Sequence, residues 1–127
     1  MNALRRFILG VTLLLGISFA HALEVVPYTP EALVAAQKAG KPVALQFHAN
    51  WCSSCRAQDA AFNSFKDDAS LPITLFVADY DNVRDLRMQL RVASQSTVIV
   101  YRGTKQTARV AFETNPERLR TALKSAL

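Results

Sequence analysis

The chain has 127 residues, of which 50% are hydrophobic and 20% are charged, and its formal net charge at pH 7 is +5. This length predicts one globular core, and the chain contains no low-complexity tract or internal repeat that would indicate a disordered or solenoid protein. The basic side chains are scattered among acidic ones, so the sequence does not indicate a nucleic-acid-binding surface.

The N-terminus has the pattern of a secretory signal peptide. Arg5 and Arg6 form a positive segment, residues 7–19 are almost entirely apolar, and Ala20-His21-Ala22 is a small-x-small cleavage site. We predict that residues 1–22 are removed and that the protein is exported to the periplasm or secreted. An uncleaved segment that anchors the protein in a membrane is the alternative, although the apolar run is shorter than the about 20 residues that a membrane span needs.

Residues 23–127 are predicted to form one domain in which strand and helix patterns alternate. Apolar and β-branched runs indicate the strands, whereas helical spacing of apolar residues and proline at helix starts indicate the helices. The predicted order is β-α-β-α-β-α-β-β-α. In chain order the predicted elements span residues 23–26, 30–39, 43–49, 53–66, 73–78, 83–91, 97–101, 106–112 and 116–126.

Both cysteines of the chain, Cys52 and Cys55, lie in the segment Phe47–Arg56, between a predicted strand and the following helix. A structural zinc site needs four nitrogen or sulfur ligands, and outside this segment the chain offers only His21, within the predicted signal peptide. A static disulfide closing so short a loop would contribute only about 2 kcal/mol, against about 3 kcal/mol for a fifteen-residue loop. A redox dithiol fits better, because a helix N-terminus stabilises the Cys52 thiolate and Cys55 follows one turn later on the same face.

This segment resembles the active-site motif of the thioredoxin family, in which an aromatic-rich strand runs into Trp-Cys-x-x-Cys and a basic residue. Trp51, Cys52, Cys55 and Arg56 match that motif. The predicted element order is also similar to that of thioredoxins over nearly the whole mature chain. The resemblance implies an α/β, thioredoxin-like fold, with a central mixed β-sheet and helices on both faces.

The resemblance also implies a thiol:disulfide oxidoreductase that needs no cofactor beyond its redox-active Cys52–Cys55 disulfide. Cys52, expected to be exposed at the helix start, would attack a disulfide of a partner protein, and Cys55 would then resolve the mixed disulfide. Arg56 would favour the Cys52 thiolate. Trp51 would shape the surface that partners touch, unless it is an ordinary core aromatic.

Three further residues near the cysteines each have two interpretations. Ser53 and Ser54 would tune the reduction potential through hydrogen bonds toward the sulfurs, or they are simply the first residues of the helix. His48 would move protons near the sulfurs or bind a soft metal together with them. Alternatively, it is a hydrogen-bonded and partly buried residue of the central strand.

Two positions depart from the thioredoxin pattern. Gln46 lies six residues before Cys52, where thioredoxins carry a buried acid that exchanges a proton with the second sulfur, and a glutamine cannot take up that proton. Ser96, followed by Thr97, stands where the family has a cis-proline in the loop that pairs with substrate, and we predict both as substrate-binding residues. A cis bond before a residue other than proline costs about 2.5 to 4 kcal/mol, so the sequence leaves open whether the bond before Ser96 is cis or trans.

We therefore predict an exported, monomeric oxidoreductase that exchanges disulfides with protein partners. Reduction is favoured over oxidation because the chain has no room for the helical insertion of strong disulfide oxidases, and a membrane thiol donor would supply the electrons. The family's proline loop also limits metal access to the sulfurs. Ser96, Gln46 and His48 therefore leave an alternative open, a module that binds Cu(I), another soft metal or a partner protein with little turnover.

Overall fold

The structure is a computed structural model, and it describes residues 22–127. The predicted signal peptide, except for Ala22, lies outside the described residues. The described part contains five strands, four α-helices and a short 3₁₀ turn at Tyr80–Asn82. In chain order they are β1 Glu24–Pro27, α1 Pro30–Lys38, β2 Pro42–His48, α2 Ser53–Ser64, β3 Thr74–Asp79, α3 Arg84–Leu90, β4 Thr97–Arg102, β5 Lys105–Ala111 and α4 Pro116–Lys124. Among these residues no helix is long and apolar enough to cross a membrane.

The predicted order of strands and helices is confirmed, and the element bounds shift by no more than two residues. Helix α2 ends at Ser64, where the N–H of the next residue, Phe65, bonds to the Phe62 carbonyl three residues back, at 3.0 Å, rather than four residues back as in an α-helix. The turn Tyr80–Asn82 was not predicted. It forms because the Asp79 carboxylate accepts a hydrogen bond from the N–H of Asp81 at 3.2 Å, which caps the turn.

The five strands form one mixed sheet in the order β1-β3-β2-β4-β5. Strands β1, β3 and β2 are parallel, β4 is antiparallel to β2, and β5 is antiparallel to β4. The parallel strands are joined through helices, whereas a tight hairpin joins β4 to β5. Strand β2 is hydrogen-bonded on both sides, so the position of its C-terminal end, after which the cysteines follow, is fixed by two neighbours.

Helices cover both faces of the sheet. The side chains of β2 alternate between these two faces, so each face carries buried side chains of this central strand. Val43, Leu45 and Phe47 are fully buried on the face that α1 and α3 cover. Ala44 points to the opposite face and joins the cluster that α2 and α4 complete. The large side chains of that cluster from the two helices are Phe62, Phe65, Leu119 and Leu123. The predicted mixed sheet with helices on both faces is therefore confirmed.

Side-chain caps fix where three of the helices begin. The Thr29 hydroxyl oxygen accepts from the N–H of Ala32 at the start of α1, and the side-chain Oδ1 of Asn115 accepts from the N–H of Arg118 at the start of α4, both at 3.1 Å. Such caps satisfy N–H groups that lack an intrahelical partner, and each contributes about 1 kcal/mol. At α2 the cap is Cys52, so the sulfur occupies the place of a capping oxygen.

Two glycines with left-handed backbones provide a test of the packing between the β4–β5 turn and the end of α1. A Cβ at Gly40 (φ +72) would meet open space, whereas a Cβ at Gly103 (φ +59) would lie 3.3 Å from the Gln37 carbonyl oxygen and from Gly40 Cα. We expect Gly40→Ala to lower the free energy of unfolding by about 1 kcal/mol through strain alone, and Gly103→Ala by about 2 kcal/mol or more. Urea unfolding measures both values, and equal losses would contradict the close packing at Gly103.

Candidate active site

Cys52 and Cys55 lie at the start of helix α2, directly beyond the central strand. Strand β2 ends at His48, and across the short turn that follows the N–H of Cys52 donates to the Ala49 carbonyl at 3.1 Å. Cys52 is the N-cap residue, and its Sγ accepts a hydrogen bond from the N–H of Cys55 at 3.1 Å. The predicted position of the first sulfur at a helix N-terminus is confirmed. Both cysteines are free thiols, so the structure shows the reduced dithiol.

Both cysteines are buried, and the expectation that Cys52 is exposed was wrong. Cys52 is 4% exposed and Cys55 is 0% exposed. Ala49 and the two cysteines form one buried cluster, and the ring of Tyr80 packs against it. A position at a helix N-terminus does not by itself determine exposure. The turns that follow strands β2 and β3 cover that terminus.

The Ser96 hydroxyl lies within hydrogen-bonding distance of both sulfurs. Ser96 Oγ is 3.3 Å from Cys52 Sγ and 3.2 Å from Cys55 Sγ. Ser54 Oγ is 2.6 Å from Ser96 Oγ and 3.3 Å from Cys52 Sγ. The two thiols and the two hydroxyls therefore form one hydrogen-bonded cluster at the N-terminus of α2.

These contacts move the pKa values of the two thiols in opposite directions. Burial by itself raises the pKa of Cys52, but hydrogen bonds from Cys55, Ser54 and Ser96 outweigh burial and lower this pKa to about 7. Burial, together with the hydrogen bond to Cys52, raises the pKa of Cys55, and the hydrogen bond with Ser96 only partly opposes that rise. Because the thiolate is the nucleophile, Cys52 is the sulfur suited to attack at neutral pH, and Cys55 remains a thiol.

An uncommon backbone conformation holds Ser96 beside the sulfurs. The described chain contains no cis peptide bond, so the bond before Ser96 is trans, and the Ser96 φ of +60 lies in the left-handed region. That region costs a residue other than glycine about 1 to 2 kcal/mol. The N–H of Ser96 donates to the Phe47 carbonyl at 2.9 Å, and the Ser96 carbonyl accepts from the N–H of Phe112 at 3.1 Å and from Gln58 Nε2 at 3.0 Å. Strain of this kind persists where the surroundings fix it.

Gln58 belongs to the site, although nothing in its sequence context marks it. Its Nε2 donates to the carbonyls of Ser96 and Glu113 at 3.0 Å, so its Oε1 faces Gln46 and accepts from Gln46 Nε2 at 3.1 Å. Gln46 Nε2 also donates to an Asp59 carboxylate oxygen at 3.2 Å. Both glutamines are fully buried. Gln46 thus supports the Ser96 loop through Gln58, and it provides no proton acceptor at the position where thioredoxins carry an acid.

His48 and Arg56 make their polar contacts away from the sulfurs. His48 Nε2 lies 2.7 Å from an Asp59 carboxylate oxygen, which is the hydrogen-bonded and partly buried arrangement of the second interpretation. Arg56 Nη1 donates to the Asn50 carbonyl at 3.1 Å. The low pKa of Cys52 comes from hydrogen bonds to its own sulfur rather than from the Arg56 guanidinium.

The other predicted site residues divide into exposed and buried ones. Trp51 is 60% exposed, so it is not a core aromatic, and its indole N–H donates to an Asp81 carboxylate oxygen at 2.8 Å. Ser53 is exposed and makes no side-chain hydrogen bond within residues 22–127. Thr97 and Ser96 are buried, so these two predicted substrate-binding side chains face the protein interior.

Comparison with known proteins decides the family. The family model described as Thioredoxin matches residues 25–125. This chain belongs to the thioredoxin family. Thioredoxin-2 of Saccharomyces cerevisiae is 31% identical to it over 85 residues, which are 67% of this chain and 80% of that protein.

Solved structures of thioredoxins share the fold. Trxlp from Edwardsiella tarda is 31% identical with a TM-score of 0.74, over 79% of this chain and 98% of that one. Thioredoxin from Trypanosoma brucei brucei is 21% identical with a TM-score of 0.67, over 85% of this chain and 93% of that one, and this likeness shows the fold alone. The predicted family and fold are confirmed. Thioredoxins are thiol:disulfide oxidoreductases that need no cofactor, and this member carries the dithiol Cys52-Ser53-Ser54-Cys55.

The hydrogen bond of Ser54 predicts how the reactivity of Cys52 depends on pH. We expect alkylation of the reduced protein by iodoacetamide to follow an apparent pKa of about 7. Ser54→Ala removes one hydrogen bond to the thiolate and should raise this pKa by about 1. Ser53→Ala is the matched control, because the Ser53 side chain makes no hydrogen bond in the described structure, and it should leave the pKa unchanged. Equal shifts in the two variants would contradict this assignment.

Proposed function

We propose that this thioredoxin-family protein is exported and reduces disulfides of protein partners. The observation that supports reduction rather than oxidation of the partner is the pKa of Cys52, which is lowered only to about 7. A strongly stabilised thiolate stabilises the reduced dithiol and makes a protein an oxidant, and the corresponding cysteine has a pKa of about 3.5 in a strong disulfide oxidase and about 7 in thioredoxins. The modest stabilisation of the Cys52 thiolate supports a reductant.

The proposed partners are folded proteins with accessible disulfides. Trp51 adjoins Cys52 in the chain, is 60% exposed, and is oriented by its hydrogen bond to Asp81, so it offers a fixed apolar surface beside the buried sulfur. The protein would act as a monomer and would receive electrons from a membrane thiol donor, because an exported reductant has no access to the cytosolic thiol-reducing systems.

The alternative, a module that binds Cu(I) or another soft metal, has weaker support. Soft metals favour thiolate ligands, and Cys52 and Cys55 supply two. Within residues 22–127 no cluster of three or more His, Cys, Asp or Glu side chains could hold a metal ion. His48, the third ligand considered from the sequence, is paired with Asp59 instead.

The direction of electron flow is tested by equilibrating the mature protein with glutathione buffers and trapping the thiols. We expect a reversible two-electron couple near the thioredoxin value of about −270 mV. A value near about −120 mV would make the protein an oxidant and contradict the proposal. Absence of any reversible couple, with copper bound in the isolated protein, would favour the metal-binding module.

Export is tested by expressing the full-length chain and sequencing the N-terminus of the protein recovered from the extracytoplasmic fraction. Cleavage after Ala22 should give a mature chain that begins at Leu23. Ala20→Asp and Ala22→Asp change the small residues of the predicted cleavage site and should block processing, since signal peptidase accepts small side chains there. Recovery of an unprocessed chain from the membrane would support the anchored form, and recovery from the cytosol would contradict export.

A further inference from the structure

Resolution of a mixed disulfide requires Cys55 to lose its proton, and the site lacks the group that thioredoxins use for this. Cys55 is fully buried. Gln46 occupies the position of the family's acid and is neutral, and His48 is bound to Asp59. In the described part of the chain, the hydroxyl that reaches Cys55 Sγ is that of Ser96, at 3.2 Å.

A continuous chain of hydroxyls leads from Cys55 toward solvent. Ser96 Oγ is 3.2 Å from Cys55 Sγ and 2.6 Å from Ser54 Oγ. Ser54 is partly exposed, whereas Ser96 is 0% exposed. A hydroxyl accepts one proton while it donates another, so two adjacent hydroxyls can transfer a proton without either becoming charged for long. A proline at position 96 would offer no such group.

We propose that Ser96 and Ser54 form a proton relay that carries the proton of Cys55 out of the buried site while the mixed disulfide is resolved. This proposal rests on the proposed function, because it concerns the second step of disulfide exchange. Ser96 and Ser54 would be catalytic residues, since their hydroxyls contact the reacting sulfurs. Gln58 is a positioning residue, because it acts through the backbone of Ser96.

The step balances in atoms and electrons. The Cys55 S–H proton passes to Ser96 Oγ as the Ser96 proton passes to Ser54 Oγ and the Ser54 proton leaves to solvent. The electron pair left on Cys55 Sγ forms the bond to Cys52 Sγ, and the bond between Cys52 and the partner's sulfur breaks. The partner leaves as a thiolate and takes up a proton from solvent. The dithiol is oxidised and the partner's disulfide is reduced.

The position of Ser96 also suits the order of the two steps. In the reduced protein the Ser96 hydroxyl can donate to the Cys52 thiolate, at 3.3 Å, and its oxygen lies 3.2 Å from the Cys55 thiol. Once Cys52 is bound to a partner, its sulfur carries no charge and is a weak acceptor. The Ser96 hydroxyl is then free to donate to Ser54, which opens the path to solvent.

The test is a single-turnover reaction of the reduced protein with dithiobis(nitrobenzoate), whose coloured aromatic thiolate leaves without needing a proton. The first release reports attack by Cys52, and the second release reports attack by Cys55 on the mixed disulfide. We expect Ser96→Gly to slow the second release about 10-fold near pH 6 and to make it steeply dependent on pH, with wild-type rates restored near pH 10. Ser54→Ala should also slow the second release at low pH, but by a smaller factor.

Two further variants separate a proton relay from a structural effect. Glycine suits the left-handed backbone of Ser96, so Ser96→Gly should fold, and Ser96→Ala gives a second variant without the hydroxyl. Ser64→Ala makes the same substitution as Ser54→Ala at the other end of helix α2, where the hydroxyl bonds only to the Ala61 carbonyl, and should leave both releases unchanged.

The outcomes distinguish the relay from the proposed function. A second release in Ser96→Gly and Ser96→Ala with the wild-type rate and pH profile would overturn the relay and leave disulfide exchange intact. Equal slowing at every pH would also overturn it, because that pattern indicates misplaced sulfurs rather than a lost proton path. If the wild-type protein itself gave no second release, the proposed function would fail, and the relay with it.

Discussion

The backbone of Ser96 is the point on which the active site depends. Its N–H bonds to Phe47 on β2, and its carbonyl accepts from Gln58 on α2 and from Phe112 just after β5. Three elements that are distant in sequence therefore fix one residue in a left-handed conformation. The consequence is chemical, because this conformation places a hydroxyl within 3.3 Å of both sulfurs.

A proline ring could not occupy this backbone, since proline holds φ near −65° and position 96 has a φ of +60. This chain therefore holds its active-site loop by hydrogen bonds where the family pattern uses a ring. Those bonds need a buried polar support, which the paired amides of Gln46 and Gln58 provide without charge. A carboxylate at position 46 would be costly to bury there unless it were paired. The two positions that depart from the family pattern, Gln46 and Ser96, are thus connected through Gln58 in this structure.

The sequence predicted what depends on local pattern. Strand runs, capping residues and the Cys-x-x-Cys spacing determine element order and the position of Cys52 at a helix start, and the structure has both. Features that depend on distant contacts were not predictable. Gln58 reaches partners 12, 38 and 55 residues away in the chain, and the Ser96 contacts to the sulfurs span 41 and 44 residues. The burial of Cys52 was missed for the same reason, because Tyr80 and Ser96 come from other parts of the chain.

Burial and hydrogen bonding act on Cys52 in opposite directions, and their balance bears on the direction of electron flow. Every hydrogen bond to the thiolate stabilises the reduced dithiol and so makes the protein a stronger oxidant. Burial destabilises the thiolate and has the reverse effect. Cys52 is only 4% exposed, so burial opposes these hydrogen bonds, and its pKa is lowered only to about 7.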